Sequence, residues 1–400
     1  MKPIPYGKQN ITEKDIKAVV EVLKSDYITQ GPKISEFEKA FAKYVDSKFA
    51  VAVSSGTAAL HLCAMALNIS KGTKVITSPI TFAASANCVR YCGGEVVFGD
   101  IDPETYLLDI KSVRNLLESV PKETYSGIIP VNFAGRAIKH EEFRELADEF
   151  NLWIIEDSCH APGGYSINTA GEQLKCGSGK YAELSIFSFH PVKHITCGEG
   201  GMITTNDKAL YSHLLKLRSH GIEKNNDLFQ NSIEDAIGGF SSDEYPNWYM
   251  EMQDLGYNYR ISDIQAALGI SQLCRADKGL GLRREIAKRY FEAFKNEKKI
   301  IRQSGWVDGH AYHLYVIEIE NRIGLYNYLR ENLIFSQVHY IPCHLMPYYR
   351  DRGWKKGDRP HSEKYYEQCL SLPIYPTLNF KQQQKIISFV KNFLSFGIKE

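Results

Sequence analysis

From residue 50 to residue 205 the chain repeats one pattern: short β-branched, aliphatic or aromatic runs stop at glycine or polar residues and give way to stretches of helical character. The runs fall at 50–54, 74–77, 96–98, 127–131, 153–156, 184–188 and 202–205. Strands this short and this apolar are of the kind that helices bury on both faces. Leu107, Ile110, Val113, Leu117 and Val120 recur at helical spacing and predict one such covering helix. The expected fold class is α/β, built on a mostly parallel sheet.

At 400 residues, with 44% apolar side chains, the chain exceeds one small domain and can fill a sizeable core. Ser262 and Gln265 form a capping box in front of an apolar face made of Ile264, Ala267, Leu268 and Leu273. Charge thickens from Arg275 to Lys288, which predicts a solvated connector helix. Beyond Phe294, strand candidates at 313–319, 336–340 and 370–374 alternate with polar helices, as in a smaller α+β domain. The expected division is 12–275 and 276–400, with residues 1–11 packed near the second part. Residues 221–244 read as a long polar surface loop, of a length that often borders a site or an interface.

Basic and acidic residues number 48 and 47, so no overall charge favours nucleic acid or an anionic membrane, and neither is expected as a partner. Residues 49–70 hold no Asp, Glu, Lys or Arg, yet Ser54-Ser55-Gly56-Thr57, His61 and Asn68 make them too polar for a membrane span. The first ten residues lack the apolar core of a signal peptide. Nine scattered cysteines without a CxxC pair predict free thiols in a reducing compartment, and a cytoplasmic location.

Several strand ends carry residues capable of chemistry. Lys193 follows Ser188-Phe189-His190-Pro191-Val192 and precedes the glycine-rich turn Thr196-Cys197-Gly198-Glu199-Gly200-Gly201. It reads either as a Schiff-base amine or as a surface lysine beside a turn. Asp157 ends a hydrophobic run, where a carboxylate either faces a ligand crevice and holds a heterocyclic nitrogen protonated or caps local backbone groups. Asp157, Cys159 and His160 lack a companion at metal-ligand spacing, so no metal is expected. Ser54-Ser55-Gly56-Thr57-Ala58 joins a strand to a helix start and could seat a phosphate. Gly177-Ser178-Gly179-Lys180 fails the P-loop pattern and reads as a loop. Phe82 is either core or the cover of a planar ring, Gly256-Tyr257-Asn258-Tyr259-Arg260 an interface turn or a site wall, and His339 a site residue or a satisfied structural histidine.

Together with Tyr27-Ile28-Thr29-Gln30-Gly31-Pro32, Ser188 to Gly201 and Leu255 to Leu273, these segments resemble the DegT/DnrJ/EryC1/StrS family of pyridoxal 5′-phosphate-dependent sugar aminotransferases over essentially the whole chain. The resemblance implies fold type I, aspartate aminotransferase-like, with a mixed, mostly parallel seven-stranded sheet in the large domain and a smaller C-terminal α+β domain. It implies pyridoxal 5′-phosphate as cofactor, with pyridoxamine 5′-phosphate formed during turnover. Lys193 is similar to the family's cofactor-binding and proton-transfer lysine, and Asp157 to the partner of the ring nitrogen. His160 resembles the residue near the ring 3′-oxygen, Phe82 the stacking aromatic, and Gly56, Thr57, Ala58 and Ser188 the phosphate cup. Asn258 resembles a residue that crosses a homodimer interface to a shared active site. Tyr6, Thr29, His339 and Tyr340 are implied substrate contacts.

Within the family, Ser78-Pro79-Ile80-Thr81-Phe82 with Ala86-Asn87, Arg218-Ser219-His220-Gly221, Ile270-Ser271-Gln272-Leu273 and Gln337-Val338-His339-Tyr340 resemble the transaminases of pseudaminic acid synthesis. That implies L-glutamate as donor and a UDP-linked 4-keto-6-deoxy-N-acetylhexosamine as acceptor, giving UDP-4-amino-4,6-dideoxy-N-acetyl-β-L-altrosamine. Asn132-Phe133-Ala134-Gly135 and residues 221–244 depart from the pattern. The alternatives are a 4-aminotransferase for another UDP- or dTDP-4-keto sugar, of the bacillosamine, perosamine or viosamine type, and a non-catalytic structural or regulatory protein on the same scaffold.

Overall fold

The computed structural model describes residues 2–239 and 242–396. Residues 240 and 241 of the predicted loop, and residues 1 and 397–400 of the predicted domain spans, lie outside the described residues. All seven predicted runs form one sheet in the order Phe49–Val53, Gly201–Thr205, Leu184–Ser188, Trp153–Asp157, Gly127–Ile129, Lys74–Thr77, Glu95–Phe98. Gly201–Thr205 pairs antiparallel with both neighbours and the remaining pairings are parallel. This is the type-I aminotransferase fold: a large domain on a mixed seven-stranded sheet and a smaller C-terminal α+β domain.

Both sheet faces are dry, and the pleat divides the strand residues between them. Val51, Val53, Val75, Ile129, Ile155, Ile186 and Ile203 pack with the helix Gly56–Ala66. Ile76, Ile128 and Ile154 turn the other way, onto the helices Ile110–Glu118 and His140–Glu149. Further along that face, Ala50, Ala52, Phe187 and Met202 meet Pro32–Val45 and Asp263–Leu273. The predicted capping box is present, with Ser262 Oγ accepting from Gln265 N at 3.3 Å and Gln265 Oε1 accepting from Ser262 N at 3.0 Å. The loop predicted at 221–244 carries some order: Ile222–Glu223 pairs with Glu251–Met252, and Ile233–Ala236 is a short helix. Among the described residues, no helix is long and apolar enough to cross a membrane.

The C-terminal part is built on Arg302–Gln303, Tyr315–Glu318 and Cys369–Leu372, all antiparallel. Ile4 belongs to its core: Ile4 N donates to Leu333 O, Phe335 N donates to Ile4 O, and the side chain packs among Ile286, Ile334 and Ile374. The expected strand at 336–340 is absent. Gln337 makes one bridge to Ser371, after which the backbone leaves the sheet. Val338 packs against the core while the adjacent His339 and Tyr340 both line a cavity, an arrangement that a strand with alternating faces does not allow.

Glu156 anchors the strand that ends in Asp157. Its carboxylate accepts from Asn132 Nδ2 (2.7 Å), Ser158 Oγ (2.8 Å), Ser185 Oγ (2.8 Å) and Gly177 N (3.1 Å), and lies 2.9 Å from His140 Nε2. Burial alone would raise its pKa, but His140 and the hydroxyl donors outweigh burial and bring it down to about 2. His140, Glu156 and Cys176 also place potential metal-ligand atoms within 4.8 Å of one another, but these hydrogen bonds already occupy the carboxylate. A carboxylate depressed from 4.5 to about 2 contributes stability above pH 4.5 and loses it as the pH falls toward 2. Glu156→Gln is therefore expected to cost roughly 2–4 kcal/mol at pH 7. In denaturant unfolding across pH, the gap between variant and wild type should close toward pH 2.

Candidate active site

The carboxyl ends of the parallel strands surround a cavity of about 400 Å³, in the position where open α/β sheets bind ligands. One wall is the start of the helix Gly56–Ala66. Ser55 caps it, its Oγ accepting from Ala58 N at 3.0 Å. That bond leaves the amides of Gly56 and Thr57 as the orphan donors of the first turn, at the positive end of the helix dipole. Ser188 lies across from the helix start, and a methyl group on Gly56 would sit a tight 3.0 Å from its Cβ.

Asp157 is 5% exposed. Its Oδ1 accepts from Cys159 N at 3.1 Å and its Oδ2 from Ser85 Oγ at 2.6 Å. It therefore caps local backbone and also lines the cavity. Lys193 lines the same cavity, and burial pushes its amine below the usual lysine range against the opposing pull of Cys159 and Asp157. Phe82 stands at the rim with 64% of its surface exposed.

Histidines make up much of the remaining wall. His160 and His313 have ring centroids 4.3 Å apart, and Tyr340 Oη lies 3.4 Å from His160 Nε2. Burial, reinforced by Lys193, pushes His160 well below the usual histidine range and His339 down to about 3. His313 falls likewise through burial and the nearness of His160 and Lys193. These imidazoles are neutral at neutral pH, and Nδ1 of His160 and of His313 are buried without a hydrogen-bond partner.

Of the residues singled out from sequence, Gly56, Thr57, Phe82, Asp157, His160, Ser188, Lys193, Tyr6, His339 and Tyr340 line this one cavity. Ala58 does not, since its amide is taken by Ser55 and its side chain packs into the core. Thr29 bridges Ser262 and Asn258 bridges Ser219, both outside the cavity of the single chain. Sequence reading placed Ser55 only within the phosphate-seating segment, and it missed Thr81, Ser85, Glu199 and His313 as wall residues. The Ser-Ser-Gly-Thr start of the helix could have pointed to Ser55 as its cap, but no local pattern joins Ser85 to Asp157, 72 residues away. A larger cavity, about 500 Å³, lies elsewhere; Asp102, Asp109, Glu141, Glu142 and Asp308 line it against Arg136 and Lys139.

A half-buried lysine, a strand-end carboxylate and a helix start gathered at one cavity of this sheet suit a pyridoxal phosphate-dependent aminotransferase of fold type I. The chain belongs to the DegT/DnrJ/EryC1/StrS aminotransferase family, whose sequence profile matches residues 9–391. It is 34% identical over 404 residues to a UDP-4-amino-4,6-dideoxy-N-acetyl-beta-L-altrosamine transaminase of Campylobacter jejuni, covering 99% of this chain and 98% of that one. Among solved structures it resembles Helicobacter pylori PseC, an aminotransferase involved in the biosynthesis of pseudoaminic acid, with 29% identity, a TM-score of 0.84, and 99% and 100% of the two chains covered. It also resembles ntda from Bacillus subtilis with bound cofactor PMP, with 25% identity, a TM-score of 0.81, and 96% and 83% covered. It is thus a sugar-nucleotide aminotransferase that uses pyridoxal phosphate and pyridoxamine phosphate.

Gly201 lets the cup turn lie against the antiparallel strand. A methyl group there would sit 2.4 Å from Ser55 O and 2.9 Å from Gly56 N. Gly201→Ala is expected to lower stability by about 1–3 kcal/mol through overpacking, read from chemical denaturation.

Proposed function

We propose that this chain transfers an amino group from L-glutamate to C4 of a UDP-linked 4-keto-6-deoxy-N-acetylhexosamine, making UDP-4-amino-4,6-dideoxy-N-acetyl-β-L-altrosamine. The observation that carries the reading is the convergence of Lys193, Asp157, His160 and the helix start at Gly56 on one cavity. Support for the sugar comes from the full-length likeness to the Campylobacter transaminase and to PseC.

The cavity residues suit pyridoxal phosphate. Unpaired first-turn amides at Gly56 and Thr57, with the Ser188 hydroxyl, suit a phosphate. The exposed face of Phe82 suits a planar ring, and the partnerless Nδ1 of His160 suits a ring oxygen. Asp157 would keep the ring nitrogen protonated, and the cofactor, when bound, would supply an electron sink for the pair left behind as the Cα proton departs. Lys193, pushed toward its neutral form, acts as the amine that holds the cofactor aldehyde and as the base that carries the proton. Tyr6, His339 and Tyr340 orient the sugar from the facing wall. Under the proposed division, His339 and Tyr340 belong to the 276–400 part and the cofactor residues to 12–275. Thr29 and Asn258 serve a shared site in a homodimer, a reading supported by the exposed apolar side chains of Tyr27, Ile28 and Leu255 beside them.

The test is to incubate the purified enzyme with glutamate and a panel of UDP- and dTDP-4-keto sugars and to identify the products by NMR. The β-L-altro product is expected; amination of D-configured acceptors alone would reject it and leave the reaction class standing. Lys193→Ala is expected to remove the visible absorbance of bound cofactor and to cut turnover by about 10³-fold or more without changing the melting profile. Wild-type turnover in that variant would remove Lys193 from the mechanism.

A further inference from the structure

The segment that follows the strand Lys74–Thr77 contributes two things to the cavity. Phe82 offers a ring face at the rim, and three residues later Ser85, 1% exposed, reaches beneath to Asp157. Ser85 lies in the first turn of the helix Ala84–Tyr91, whose cap residue Ala83 has no capping side chain. Its Oγ is 2.6 Å from Asp157 Oδ2 and 3.4 Å from Phe82 O, so its single proton belongs to the carboxylate. Thr81 Oγ1, also buried, lies 2.8 Å from Ser85 Oγ on the far side. A carboxylate cannot donate to Ser85, so the direction is set: Thr81 donates to Ser85, and Ser85 donates to Asp157. Cys159 N occupies the other carboxylate oxygen at 3.1 Å. Each oxygen of Asp157 is thus tied once, and the carboxylate, which lines the cavity, keeps lone pairs for a further donor.

We propose that Ser85, backed by Thr81, is a positioning residue of the aminotransferase reaction, its hydroxyl aiming the Asp157 carboxylate at the ring nitrogen of the bound cofactor. The proposal rests on the reading of Asp157 as partner of that nitrogen. A carboxylate with both oxygens tethered cannot rotate away from its partner. Hydrogen bonds to the charged form also favour that form, which leaves a shared proton on the nitrogen. One short segment, residues 81–85, then governs both the face of the ring, through Phe82, and its edge, through Ser85. The alternative is a purely structural tie between the helix Ala84–Tyr91 and the strand Trp153–Asp157.

The test compares Ser85→Ala, Ser85→Thr, Thr81→Val and Asp157→Asn as cofactor-loaded enzymes. Its readouts are the pH midpoint of the visible cofactor absorbance, the kcat and KM for glutamate, and the melting temperature. Protonation of the ring nitrogen withdraws electrons from the opposite end of the ring, so a loosened partner raises the midpoint. Ser85→Ala is expected to raise it by about half a unit and to lower kcat about tenfold, with KM held within about twofold. Ser85→Thr should restore both values, and Thr81→Val should shift them in the same direction by less. A wild-type midpoint and kcat in Ser85→Ala would overturn the proposal. So would a loss confined to the melting temperature, or one that Ser85→Thr fails to recover. A wild-type midpoint and rate in Asp157→Asn would instead sink the underlying reading of Asp157, whatever Ser85 does.

Discussion

Glu156 and Asp157 are neighbours at the end of one buried strand, so the pleat sends their carboxylates to opposite faces and each needs its own donors. Leaving either charge unpaired in this dry setting would cost several kcal/mol. Glu156 meets that demand behind the sheet, where it draws in Asn132, His140, Gly177 and Ser185 from four separate segments. Asp157 meets it in front with only two bonds and keeps capacity for a ligand. The saturated carboxylate holds the strand end still, and the unsaturated one uses that rigidity.

The electrostatics of the cavity follow from burial more than from charge pairing. Lys193 has no ion-pair partner among the described salt bridges, and the imidazoles of His160, His313 and His339 are all held neutral. The histidine part of the wall is therefore polar without being charged, and Asp157 and Glu199 supply carboxylates beside it. Burial without an ion-pair partner keeps the Lys193 amine from being locked as a cation.

How much of this was legible in the sequence depends on the range of the interaction. Six of the seven sheet strands were found within one residue of their observed ends, and the run at 127–131 overshoots by two, ending at Ile129. Burial on both faces makes each strand a continuous apolar run that needs no tertiary context to read. The capping box at Ser262 was equally local. The run at 336–340 misled because its alternation stops after one bridge: Val338 packs against the core and the adjacent His339 and Tyr340 both line the cavity. Ser85, Thr81 and His313 were invisible, since serine, threonine and histidine reveal their partners only when distant strands close together. The lysine motif was readable because the family resemblance, not its spacing, set it apart from an ordinary turn.

Ile4 pairs with residues 333 and 335 and is sealed into a core with Ile334 and Ile374. Ile4 therefore has no place to settle until more than three hundred residues have followed it, a contact of very high sequence separation that slows folding. During synthesis the large sheet can assemble first, while Ile4 stays unplaced. Closure of the last core then acts as a clasp, drawing Ile4 onto residues 333–335 only once nearly everything between them exists.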